Sequence, residues 1–187
     1  MGLDNVAVQW PRTDRRYEPV SPAEFADFAE LVAAYPHLPG PAAALAGHIG
    51  KTGTVPATGY TELVDLMLGL NGVLYATDDD ADDDDEDPVI DPDGCAWIAG
   101  GVERFVAGHR QLGEEVTFDS VGTLLRTVVS EARLGDHQLR WLEGRLDELR
   151  DPSGEAPRWS FTVTELAILG RFYRRCADRG FAVYADY

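Results

Sequence analysis

Lysine is almost missing from this chain of 187 residues, in which Lys51 stands beside fifteen arginines. Two origins of this bias remain open. One is a high-GC genome, whose codons favour Arg, Ala, Gly and Asp. The other is a salty cytoplasm, where acidic surfaces keep proteins in solution because salt screens their self-repulsion. The carboxylates are concentrated in one segment instead of being spread over the chain, which favours the genomic origin.

Cysteine is nearly as scarce, since the chain contains only Cys95 and Cys176, far apart in sequence. This pair forms neither a disulfide framework nor a zinc pattern, and it suits a reducing compartment. No apolar run approaches the ~20 residues that span a membrane, and the first residues lack the basic and apolar parts of a secretion signal. We therefore expect a soluble, cytoplasmic protein that does not bind a membrane.

Specific catalytic motifs are lacking too. The Gly-Lys-Thr run at 50–52 resembles the end of a phosphate-binding loop, but Leu45 occupies a required glycine position. Residues 119–122 resemble part of a nucleophile elbow, but Phe118 replaces its first glycine, and Ser120 is better explained as a helix cap. The histidines lack metal-ligand spacing: His37, His48, His109 and His137. We predict no catalytic residue, and no residue that binds an organic cofactor.

Negative charge is what the chain has in excess: 33 acidic against 16 basic residues, for a net charge of −17. Residues 78–93 carry eleven of the acids and no base, so the rest of the chain has a net charge of −17 + 11 = −6. Such dense like charges repel one another and leave little to bury. The sequence therefore predicts an irregular, solvated loop at 78–93, interrupting a single globular domain over residues 1–187.

This charge distribution favours some partners over others. It repels nucleic acid and anionic lipid, and it attracts cations and basic proteins. We expect no direct nucleic-acid binding. The side chains predicted to contact a basic partner are Asp78, Asp79, Asp80, Asp82, Asp83, Asp84, Asp85, Glu86 and Asp87.

Metal binding is a second use for these carboxylates, which are hard oxygen ligands suited to Ca²⁺ or Mg²⁺. The candidate metal ligands are Asp87, Asp91 and Asp93. An EF-hand fit with Gly94 at the glycine position fails, because Val89 falls on the first ligand position and Gly100 on the bidentate glutamate. Any ordered site is expected to bind weakly, at ~10⁻³ M.

Helices and strands are predicted from periodicity and capping residues. Strands are expected from Val6 to Trp10, ended by Pro11, at 73–75 and in the tail from Phe181. A helix starts at Ser21-Pro22 and stops before Pro36, and 36–59 is a packed loop with one helical turn near 42–46. Further helices are predicted from Thr61 to Leu70, over 96–109 with an Asp93 cap, over 120–133, from Asp136 to 149, and from the capping box Thr162–Glu165 to Gly180. Gly100, Gly101 and Gly108 suggest that another helix approaches closely.

Two side-chain sets remain open to more than one interpretation. Cys95 lies near a predicted helix start, where a thiolate is favoured, but it also suits the role of a small buried hydrophobe. The arginines of the last helix share one face, and they either receive an anion, such as the acidic loop, or complement the helix dipole. These arginines are Arg171, Arg174, Arg175 and Arg179.

Together these patterns predict an α+β fold: a helix-rich single domain with a small sheet made from the N- and C-terminal strands. An all-α bundle is the alternative. The leading functional hypothesis is a non-enzymatic interaction module whose acidic loop engages a basic partner or cations. An enzyme or small-molecule-binding protein is the second hypothesis, and a nucleic-acid mimic is the third. The partner's identity and the oligomeric state are left open.

Overall fold

The computed structural model of the chain describes residues 4–12, 16–34, 40–56, 89–109, 113–150, 153–155 and 161–186. These ranges contain a 3₁₀ helix (Pro22–Phe25) and six α-helices: α1 (Ala26–Ala34), α2 (Gly40–Thr52), α3 (Pro92–Ala107), α4 (Phe118–Glu131), α5 (Asp136–Leu149) and α6 (Val163–Arg179). They also contain four strands: β1 (Asp4–Val8), β2 (Thr54–Val55), β3 (Val89–Ile90) and β4 (Ala182–Asp186). Among the helices described, none has the length and apolar character needed to cross a membrane.

The four strands form one antiparallel sheet in the order β2-β1-β4-β3. Its centre is the pair of terminal strands, which runs in register from Asp4 opposite Asp186 to Val8 opposite Ala182. The predicted sheet of N- and C-terminal strands is confirmed, and with it the helix-rich α+β fold. The all-α alternative is wrong because the apolar alternation at both ends of the chain forms a ladder.

The core lies between one face of this sheet and the helices. From the sheet, Ala7, Ile90 and Val183 enter the buried cluster, which continues through α2, α3, α4 and α6. Aromatic rings fill its centre, where Phe25 stacks on Phe172 with ring centroids 5.5 Å apart. Helix α5 lies at the periphery and packs through Leu142 and Leu146. The apolar stripes of the sequence are thus buried together against the terminal strands.

Helices α3 and α6 approach each other at a glycine. A Cβ added at Gly170 of α6 would lie 2.5 Å from Cγ1 of Val102 on α3. On another side of α3, a Cβ at Gly101 would lie 2.5 Å from Cγ2 of Val128 on α4. The close approach predicted for the α3 glycines is confirmed at Gly101. Helix α3 therefore packs tightly against two neighbours.

Helix ends follow the capping residues where these are complete. Thr162 accepts a hydrogen bond from the backbone N–H of Glu165, whose Oε2 accepts one from the Thr162 N–H at 2.8 Å. Gly180 ends α6 in the left-handed conformation at φ 68°, which glycine adopts without strain. Ser21 does cap, but the turn it starts is the 3₁₀ helix, and α1 follows from Ala26. The predicted capping box at Thr162 is confirmed.

Three local predictions were wrong. The range 36–59 contains the 13-residue helix α2 and the strand β2 instead of a loop with one turn. Its many Ala and Gly residues resemble a loop in sequence, but Ala42, Leu45, Ala46 and Ile49 are buried on one helix face.

Helix α4 starts at Phe118 with Thr117 as its cap, so Ser120 lies inside the first turn. Helix α3 is capped by Asp91 instead of Asp93, because Pro92 then takes the first helical position, where its missing N–H costs nothing.

The predicted helix from Thr61 to Leu70 and the strand at 73–75 lie outside the described residues, as does Pro36.

The α3–α6 contact leads to a stability prediction. We expect Gly170→Ala to lower the free energy of unfolding by about 1–3 kcal/mol, because the new methyl group overlaps Val102. Urea unfolding of the variant measures this change. Adding Val102→Ala makes room for the methyl group, so the double variant should lose less than the sum of the two single losses.

Gly144 of α5 is the matched control, since nothing lies within 4 Å of a Cβ added there. Gly144→Ala should raise the free energy of unfolding by about 0.5–1 kcal/mol through helix propensity alone. Equal effects at Gly144 and Gly170 would contradict the close contact.

Candidate interaction surface

The acidic residues 78–87, predicted to contact a basic partner, lie outside the described residues. The chain is described again from Val89, which starts the edge strand β3. Val89 and Ile90 pair with Tyr184 and Val183 of β4, so the predicted loop at 78–93 extends too far at its C-terminal end. Its last five residues form a strand, a helix cap and the start of α3. They are ordered because two apolar residues and an Asp-Pro pair supply a strand and a helix start.

Two of the three candidate metal ligands, Asp91 and Asp93, lie within the described structure. The Oδ1 of Asp91 accepts a hydrogen bond from the Gly94 N–H at 2.7 Å, so this oxygen serves the helix cap. Asp93 is an exposed residue of the first turn, and Asp87 lies outside the described residues. Over the parts of the chain that the structure describes, no group of three or more His, Cys, Asp and Glu side chains could hold a metal ion.

The arginines of α6 are the second feature that the sequence singled out. Arg174 donates to both carboxylate oxygens of Glu103 on α3, at 2.9 and 2.8 Å. Arg175 pairs with Asp27 of α1 and donates to the Glu24 carbonyl oxygen at 2.9 Å. A third ion pair joins Arg179 to Glu24 at 3.1 Å. These arginines therefore tie α6 to α3 and to the start of α1, which neither interpretation of the sequence anticipated.

Sequence reasoning missed the acidic partners in this arrangement. Neither Glu24 nor Asp27 was considered as an ion-pair partner, although a Glu-x-x-Asp spacing places both on one side of a helical start. The arginine spacing on α6 was a visible signal. Its target was not, because the contact joins positions 148 residues apart in the chain.

Other arginines of the described residues are compensated in the same way. Arg126 of α4 forms two hydrogen bonds to Glu143 of α5, at 2.7 and 2.9 Å, and this contact lowers the pKa of Glu143. Further ion pairs are Arg104–Glu131, Arg145–Glu148 and Arg150–Asp119. With the three on α6, seven arginines have a carboxylate partner inside the fold. Much of the positive charge of the body is thus paired with carboxylates of the body itself.

Both cysteines are buried, with no exposed surface. Burial raises the pKa of Cys95 well above its ordinary value, and the nearby Cys176 thiol and the Asp91 carboxylate raise it further. Burial also raises the pKa of Cys176. The Cys95 thiol lies 3.7 Å from the Ile90 carbonyl oxygen, its potential acceptor. The position near a helix start therefore does not produce a thiolate, and Cys95 packs as a small hydrophobe.

The Tyr173 hydroxyl lies in the same interior. Its oxygen is buried without a hydrogen-bond partner, and burial raises the pKa of the phenol well above its ordinary value. Because the side chain is fully enclosed by the core, this hydroxyl is not positioned to meet a substrate. It imposes a stability cost of about 1–3 kcal/mol that the surrounding aromatic packing must offset.

The Gly-Lys-Thr run occupies the C-terminal end of α2, not a helix start. Phosphate binds at helix N-termini, where backbone N–H groups and the positive end of the dipole face the anion. At the end of α2, Thr52 donates to the His48 carbonyl oxygen at 2.9 Å, and His48 Nε2 lies 3.1 Å from Thr54 Oγ1. These contacts join α2 to β2 and do not form a phosphate site.

Comparison with known proteins returned no match: no family model, no curated protein and no solved structure is similar to this chain.

Breaking the ion pair between Arg175 and Asp27 should destabilise the protein. We expect Arg175→Met to lower the free energy of unfolding by about 1–3 kcal/mol, because it leaves the half-buried Asp27 carboxylate unpaired. Urea unfolding measures the loss. The double variant Asp27→Leu/Arg175→Met should recover part of it, since no unpaired charge remains.

Arg145 provides the control, because its pair with Glu148 lies within one helix and is largely exposed. Arg145→Met should change the free energy of unfolding by no more than about 0.5 kcal/mol. A loss at Arg145 as large as that at Arg175 would show that burial of the Asp27 pair is unimportant.

Cysteine burial gives a second prediction. At pH 8 the folded protein should show no fast reaction with an aromatic disulfide reagent, because the thiolate is the reactive form and both thiols are buried with raised pKa values. After unfolding in urea, two thiols per chain should react, as absorbance of the released thiol would show. Rapid modification of Cys95 in the folded protein, identified by its loss in Cys95→Ala, would contradict this assignment.

Proposed function

We propose that the protein is a non-enzymatic, cytoplasmic interaction module whose acidic residues 78–87 bind a basic protein segment. The observation that carries the proposal is the composition of this segment: nine carboxylates and no base in ten residues. It supplies more than half of the net charge of −17.

The electrostatics of the described body support the proposal. Seven of its arginines already have carboxylate partners within the fold. Arginines that are held in this way are less available to neutralise the acidic segment from inside the same chain. The field of the segment then acts on its surroundings, where it raises the local concentration of cationic partners and speeds their association.

The chemistry of the segment indicates what kind of partner fits. A single exposed ion pair contributes only about 0–1 kcal/mol, so useful affinity requires several pairs at once. A segment rich in arginine meets this requirement best, because each guanidinium can donate two parallel hydrogen bonds to one carboxylate. Free divalent cations are weaker candidates, since an oxygen of Asp91 already caps α3 and no group of three or more possible metal ligands occurs among the described residues.

A pair of charge-matched variants tests the proposal. In the first, the six consecutive acids at 82–87 are changed to Asn or Gln, which raises the net charge by six. In the second, six exposed acids dispersed over the body are changed in the same way: Glu18, Glu30, Glu114, Glu115, Asp147 and Asp178. Binding of a nona-arginine peptide is measured by calorimetry at low and at physiological salt.

The intact chain should bind this peptide, and binding should weaken by about tenfold or more as salt increases, because screening removes long-range attraction. The 82–87 variant should lose most of the affinity, and the dispersed variant should keep it. Equal losses in the two variants would show that net charge alone acts, and would refute a binding segment. Pull-down with the two variants then identifies the natural partner as one retained only by the dispersed variant.

A further inference from the structure

We draw no further inference here: the strongest candidate, the buried side-chain cluster of Cys95, Cys176 and Tyr173 between α3 and α6, carries none, because both thiols are free, the Tyr173 hydroxyl has no hydrogen-bond partner among the described residues, and only the raised pKa values relate the three groups to one another.

Discussion

The close approach of α3 and α6 at Gly170 and Val102 is the contact on which the rest of the fold depends. Strand β3 leads directly into α3, and α6 leads through the left-handed turn at Gly180 into β4. Because β3 pairs with β4, packing the two helices also brings their strands together. The other edge of β4 pairs with β1. A side chain at position 170 would hold the helices apart and would work against the strand pairing.

Charge is distributed to suit this core. Arginines of α6 contact Glu103 on α3 and the residues around the start of α1. These polar contacts join α6 to a neighbouring helix on each of two sides. Partly exposed pairs of this kind contribute modestly to stability, but they use carboxylates and guanidinium groups of the body against each other. The excess negative charge is left at 78–87, a segment that the chain reaches just before the β3 edge. The acids that form ion pairs in the body are therefore a different set from those at 78–87, to which we assign partner binding in the proposed function.

Much of the fold could be predicted from local signals, and the errors have physical causes. The alternation of apolar and polar residues at both chain ends predicted the terminal strands, and the capping box at Thr162 predicted the start of α6. Both patterns depend only on residues that are neighbours in sequence. Helix α2 was missed because an Ala-Gly sequence carries a weak apolar stripe, and its helix depends on tertiary burial. At the candidate site, the density of carboxylates was evident from sequence. The Asp27–Arg175 contact was not, because it joins two elements that only the fold brings together.

The central claim is that the body folds without help from the acidic residues at 78–87. Urea unfolding of a chain in which all nine carboxylates are changed to Asn or Gln tests it most directly, since the side-chain volumes barely change. We expect a free energy of unfolding equal to or slightly above that of the intact chain, because mutual repulsion is removed, and we expect an unchanged m-value. A loss of several kcal/mol, or a changed m-value, would mean that these carboxylates are part of the folded interior and would contradict independent folding of the body.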